Sequence, residues 1–331
     1  AINNLENRFG PGRLDHLPPL ESFPPVEQAI PFTGALTLWG LDAADGYAPR
    51  FLACHDPGYK IQFAAFFQEH LLVLGPRTLE VLDPDFALVR TIQDPWLAGG
   101  HTVYPLDEEH VVVTSAPANA LLVVHVASGE VVRRIPMPAV YGQGHALEPQ
   151  DDLRRHFIPT DLQPTHVNCA APTAGGILVT SWIHGAVGLL DQDGGWREIV
   201  SGYRGCHGGK IDAATGELYL TDSPAGLLWF FDPATGRPQR RMKFASQWLH
   251  DVDQVDGRIF AAALSDRNVL QIVDAKKKAV LHEQDCSAFG KSAMFVNTSV
   301  PGQAWREWLQ AQGEARVPQT REERREVLTP S

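Results

Sequence analysis

The sequence has no run approaching the roughly 18 consecutive apolar residues of a membrane-spanning helix. It opens on Ala1-Ile2-Asn3-Asn4, without the basic-then-apolar pattern of a secretory leader. A soluble protein is the expectation. Basic charge is also scarce: 28 Lys and Arg stand against 39 Asp and Glu, a formal net charge of −11. This argues against nucleic acid or an anionic membrane as partner, since both are bound by clustered Lys and Arg that release counterions. The clusters present, Arg133-Arg134 and Lys276-Lys277-Lys278, are short and read as solvated turns.

Cysteine is sparse as well. Cys54, Cys169, Cys206 and Cys286 form no CxxC pair and are too few to staple a chain of 331 residues. They read as reduced thiols of a cytoplasmic protein, with one bridge in an exported protein as the alternative. No nucleotide cradle, serine-nucleophile elbow or HExxH helix is present.

What the sequence does have is glycine and proline (29 and 25 residues) between short apolar patches, and the patches repeat. Gly100-His101-Thr102-Val103 leads into His110-Val-Val-Val-Thr-Ser115. Thr165-His166-Val167-Asn168 leads into Ile177-Leu-Val-Thr-Ser181. Cys206-His207-Gly208-Gly209 leads into Leu218-Tyr-Leu-Thr-Asp222, and Leu249-His250-Asp251-Val252 into Ile259-Phe-Ala-Ala-Ala263. Each is followed by a third apolar stretch, a Gly or Asp turn and a more polar fourth. An earlier copy begins at Ile61. Four strands recurring every 40 residues or so is the signature of a β-propeller blade, so the fold class is all-β.

Five copies span roughly residues 60–286. The ends supply fragments of another: residues 34–53 read as third and fourth strands, and Gly290-Lys-Ser-Ala-Met-Phe-Val-Asn-Thr-Ser299 as the missing inner ones. Pairing them would close a ring of six blades and remove its open edges, with seven blades as the alternative. The expected organisation is a proline-rich arm over 1–31, the propeller over 32–300, and a helix with a charged tail over 301–331. The segment 139–164 is a long inter-blade loop on the histidine face.

The repeat aligns His101, His166, His207 and His250. The first strand of each blade runs along the central channel, so this column faces the axis. Thirteen histidines are too few to fill one column four times by chance. Either each makes an equivalent structural bond, or the imidazoles converge on a metal. An all-His site with open positions suits Fe(II) or Cu, and three His with a water suit Zn equally. Asp251, Asp253 and Asp222 are candidates to orient ring N–H groups, the last two reading more simply as turn or strand-end residues. Lys291 completes the ring in one register, whereas the other register places Asp285 there. Blade 1 offers only Ile61 or Gln62. His55 is a further candidate. Tyr104, Tyr203, Arg204, Lys210 and Trp248 flank the ring, and Cys169 and Cys206 neighbour it on strands whose alternation turns them away.

His250-Asp-Val-Asp253 followed by Gly257-Arg-Ile-Phe260, and Gly216-Glu-Leu-Tyr-Leu-Thr-Asp222, resemble the six- and seven-bladed gluconolactonase-like, strictosidine-synthase-like and NHL-repeat propellers. The resemblance implies the fold and no activity. Two enzyme groups share the histidine pattern alone. Carotenoid cleavage oxygenases hold Fe(II) with four His on a seven-bladed axis, and the peptide-amidating lyase holds Zn with three on a six-bladed one. The expectation is a metal-dependent oxygenase or oxidase acting on a small organic substrate. Its metal would sit on His101, His166, His207 and His250, with Lys291, Tyr203 and Asp251 as catalytic groups. A Zn-hydroxide lyase, hydrolase or cyclase and a non-catalytic binding scaffold are the rivals. The oligomeric state is not written in the sequence.

Overall fold

The structure is a computed structural model and describes residues 20–24, 34–138, 151–289 and 296–311. Five four-stranded antiparallel sheets follow one another along the chain as blades. Blade 1 holds β3 (Phe63–Phe67), β4 (His70–Leu74), β5 (Leu79–Leu82) and β6 (Leu88–Ile92). Blade 2 holds β7 (Val103–Pro105), β8 (His110–Ser115), β9 (Ala120–His125) and β10 (Glu130–Pro136). Blade 3 holds β11 (Val167–Thr173), β12 (Gly176–Ser181), β13 (Ala186–Leu190) and β14 (Trp196–Val200). Blade 4 holds β15 (Cys206–Ile211), β16 (Leu218–Asp222), β17 (Leu227–Phe231) and β18 (Pro238–Lys243). Blade 5 holds β19 (Leu249–Asp256), β20 (Ile259–Leu264), β21 (Val269–Asp274) and β22 (Ala279–Asp285).

The burial pattern explains the order. Second strands such as β8 are buried on both faces, because a neighbouring blade covers each side, and they are built from the β-branched and aliphatic residues that suit a doubly covered strand. Fourth strands such as β6 carry mostly exposed residues and form the rim. The first strands β3, β7, β11, β15 and β19 are neighbours of one another around the axis. Blades join through apolar clusters, the one between blades 4 and 5 built on Tyr219, Phe230 and Phe260, whose rings meet edge to face at 5.2 and 5.6 Å. Such contacts add roughly 1 kcal/mol each beyond the area they bury.

Five blades, not six or seven, is the correction the structure makes. The remaining sector holds a two-stranded sheet, β1 (Leu36–Gly40) and β2 (Arg50–His55). Trp39 and Leu41 pack on the blade 5 cluster, while Leu36 and Leu38 pack on blade 1. Inner strands to complete this sector are not seen among the described residues. Residues 290–295, Lys291 included, lie outside them, and residues 296–300 form no ladder. These residues are held by side chains instead. Val296 N–H donates to Asp251 Oδ2 at 3.2 Å, Thr298 N–H to Asp253 Oδ2 at 2.7 Å, and Phe66 N–H to Ser299 Oγ at 2.8 Å. A cavity of about 610 Å³, lined by Trp39, Phe63, Ile272 and Cys286 among others, occupies the sector. Backbone amides that would have paired in a strand find carboxylate and hydroxyl acceptors, which a repeat count cannot foresee.

The expected C-terminal helix is α1 (Gln303–Ala311). Its first N–H groups, on Gln303 and Ala304, donate to the Glu69 carboxylate, and Trp305 is buried against Phe66 and Phe86. No helix among the described residues is long and apolar enough to cross a membrane. All four cysteines are free thiols.

Candidate functional site

The four histidines enter at the same end of their blades, each fixed by its backbone. His101 lies just ahead of β7, where its N–H and that of Thr102 donate to Thr114 Oγ1 at 2.8 and 3.0 Å. His166 precedes β11 at a φ of +44°, a left-handed conformation that non-glycine residues keep only where the surroundings enforce it. Ser181 Oγ supplies part of that enforcement by donating to Thr165 O at 2.8 Å. His207 is the second residue of β15, with its N–H on Thr221 Oγ1 at 3.2 Å. His250 is the extra residue of a bulge between Leu249 and Asp251 in β19. Three of the four are thus anchored by hydroxyls from the last two residues of second strands.

The rings meet in two edge-to-face pairs. His101 and His166 have centroids 4.5 Å apart, and His207 and His250 have centroids 4.4 Å apart. The pairs are electrostatic neighbours: His207 lowers His101, and His166 lowers His207. Trp182 stands edge-on to His166 at 5.5 Å, and Trp248 lies 6.2 Å from His207.

Hydrogen bonds assign two tautomers. Gln163 Nε2 donates to Ile158 O, which orients the amide so that Oε1 accepts from His166 Nδ1 at 2.6 Å. Gly205 O lies 3.1 Å from His207 Nδ1 and can only accept, with Ser223 Oγ at 2.7 Å alongside. Both protons therefore sit on Nδ1, and Nε2 carries the lone pair, as a metal ligand or base requires. Gln163 comes from the end of the long loop that the sequence places over this face; residues 139–150 of that loop lie outside the described ones.

Burial, reinforced by neighbouring rings and by the Lys60 ammonium, holds His101 well below the ordinary histidine value. Burial and Lys60 bring His166 down to about 3. Burial does the same in direction for His207, with His250 and His166 adding to it. These imidazoles are neutral when folded. An unfolded His166 takes up a proton near 6.5, so below that pH the unfolded state binds more protons. The metal-free protein should lose stability as pH falls from about 6.5 toward 3, by up to ~5 kcal/mol from His166 alone. Urea midpoints measured from pH 7.5 to 4 should fall steeply, and less so in His166→Gln; a flat profile would contradict neutral burial.

Beneath the rings lies a charged layer. In a plain strand His207 and Lys210 would face opposite ways. Gly208 and Gly209, at φ of +72° and +101°, form a bulge that inserts one residue and turns both inward. Lys210 Nζ bonds Asp253 Oδ1 at 2.9 Å and lies 5.3 Å over the Tyr104 ring. Tyr219 OH donates to the same oxygen at 3.1 Å. Burial pulls the Lys210 ammonium down, but the Asp253 and Asp251 carboxylates outweigh it and hold it well above its ordinary value. A β-carbon on Gly209 would stand 2.2 Å from Thr180 Oγ1, whereas one on Gly208 meets nothing nearer than Asp251 Oδ1 at 3.9 Å. Gly209→Ala should therefore cost ~3 kcal/mol in urea unfolding and Gly208→Ala only ~1 to 2, the backbone strain alone. Equal costs would mean that the bulge does not depend on the fit to Thr180.

The other expected site residues divide. Asp251 lies in this layer, 3% exposed, and burial raises its carboxyl to about 6 against the pull of Lys210. Tyr203 packs edge to face on Trp229 and Phe231 in blade 4. His55 stacks on Phe86 at 5.0 Å, apart from the cluster. Asp253 pairs with Lys210 and accepts from Thr298 N–H. Asp285, at the end of β22, accepts from Ser287 N–H at 2.8 Å. Burial pushes the Cys169 thiol up to about 12 and raises Cys206 as well, so both are protonated. Lys60, immediately ahead of the aligned Ile61, was not among the expected residues. Its ammonium is lowered by burial and acts on two of the rings.

Imidazole nitrogen suits a transition ion. Among the described residues, no three His, Cys, Asp or Glu side chains surround a common point able to hold an ion. Compared with known proteins, the chain matches no protein family and no curated relative.

Proposed function

We propose that this protein is a metal-dependent enzyme whose reaction centre is the histidine cluster. The leading chemistry is Fe(II) or Cu with O2, acting on a small organic substrate. One observation carries the reading: four imidazoles from one column of the repeat, three of them buried, meet in two edge-to-face pairs, and two have Nε2 lone pairs defined by carbonyl acceptors on Nδ1. An ion bound there would supply Lewis acidity and, if redox-active, a site for O2 to react. His166 and His207 are the residues best prepared to hold it. Asp251, tied to the backbone of β19 and of residue 296, would balance part of its charge and hold or release a proton beside the rings. Lys60 would attract an anionic group of the substrate, while Trp182 and Trp248 would exclude water from its apolar part. Four free thiols fit a cytoplasmic setting.

The pairwise stacking favours a second reading, in which neutral imidazoles act as bases with no metal. Reconstitution separates the two. Protein stripped with a chelator under anaerobic conditions would be reloaded with Fe(II), Cu or Zn, and its melting temperature and O2 uptake with candidate substrates measured. A rise with Fe or Cu together with substrate-dependent O2 uptake supports the leading reading, and a rise with Zn alone supports a hydroxide-based lyase or hydrolase. No rise with any ion leaves the metal-free reading.

A further inference from the structure

A second histidine pair stands on the opposite part of blade 2, remote from the axis in the repeat. His110 opens β8 and His125 ends β9, and the two are direct cross-strand partners. Their backbones do not bond each other. His110 O accepts from Leu106 N–H and its N–H donates to Asp107, both toward β7, while His125 O accepts from Gly129 N–H, toward β10. This makes them a non-hydrogen-bonded pair, the kind in which facing residues approach most closely, with Cα atoms about 4.5 Å apart. Their ring centroids are 5.2 Å apart. The site is open to solvent, the His110 side chain being 25% exposed.

The outer nitrogens share one proton between them. The Asp107 carboxylate, 2.9 Å from His110 Nδ1, takes that N–H and leaves a lone pair on His110 Nε2. Ser128 N–H donates to His125 Nδ1, and Ser128 Oγ, accepting from Glu130 N–H, lies 2.7 Å from the same nitrogen. The proton of neutral His125 is thereby left on Nε2. A carboxylate behind a ligating imidazole is the arrangement that orients a ring and raises its basicity toward a metal.

We propose that His110 and His125 form a bidentate surface site for a divalent transition ion of the copper, nickel and zinc class. The ion replaces the single proton held by the two Nε2 atoms, and water fills the remaining positions. That proton moves to His125 Nδ1, so the neutral pair takes the ion with no net release of a proton, and nothing is oxidised. Asp107 positions His110, and Ser128, by switching from donor to acceptor, accommodates the Nδ1–H that His125 then carries.

Cu(II) is the probe, since it binds nitrogen most tightly in its series. Untagged, metal-free full-length protein would be titrated with Cu(II) by calorimetry, with electron paramagnetic resonance counting coordinated nitrogens, alongside His110→Asn and His125→Asn. The expected result is one equivalent in the wild type that weakens at least tenfold in each variant, its spectrum dropping from two nitrogens to one. Any equivalent taken up by the axial histidines should stay unchanged, so failure at either site is read separately. Melting curves of the metal-free variants check the hairpin. Stoichiometry and affinity unchanged in both variants, or no copper bound beyond the axial cluster, would overturn the proposal.

Discussion

Asp253→Ala is expected to cost ~4 kcal/mol of stability, because removing one partner of a buried ion pair leaves the other uncompensated. Lys210 Nζ would lose its carboxylate while its side chain stays 8% exposed. Two further donors lose their acceptor at once, Tyr219 OH and Thr298 N–H, while Thr298 Oγ1 keeps Gln254 O. Those bonds tie blade 4 and residue 298 to blade 5, so both contacts are lost together. Asp253→Asn, which keeps the shape and some acceptors, should cost less. The double variant Lys210→Met with Asp253→Leu should recover part of the loss, since replacing both charges removes the desolvation penalty as well. Urea midpoints at pH 7 measure all three. A single-variant cost under ~1 kcal/mol would mean that the pair does not hold the ring together.

His207→Ala is expected to abolish metal retention and activity while leaving a folded propeller. The ring is 4% exposed and bonds Gly205 and Ser223, so truncation costs ~2 kcal/mol from lost packing and an orphaned hydroxyl. That is a fraction of what the interfaces around five blades supply. Retention should fall more than tenfold, because His207 stands in one ring pair and is electrostatically linked to the other. Circular dichroism checks the fold and elemental analysis the metal. Full occupancy in this variant would remove His207 from the ligand set.

The propeller class and the histidine column were legible because both follow from local regularities. Each blade is one supersecondary unit, so its pattern of apolar strands and turns recurs whatever its neighbours do. The blade count was not legible. Residues 296–299 read as an inner strand, but Asp251, Asp253 and Ser299 satisfy the amides that a ladder would have used. Lys210, Asp251 and Asp253 were legible singly, but the pairing of Lys210 with Asp253 was not, for a related reason. Strand alternation sets Lys210 opposite His207, and only the bulge at Gly208 and Gly209 reverses that. The pair of glycines was the available signal, since glycine inside a strand marks a bulge or close approach. Asp253 read as a strand-end residue because nothing in sequence links it to Lys210, 43 residues away. Lys60 was hidden by one position: the aligned column falls on Ile61, whose side chain packs with β1 and α1 instead.

The most direct test of the histidine cluster as a metal centre is the elemental content of the full chain purified without a histidine tag. The expected result is close to one equivalent of Fe or Cu per chain, with a lower melting temperature after chelation. Protein that carries no transition metal and melts at the same temperature with and without chelator would contradict it.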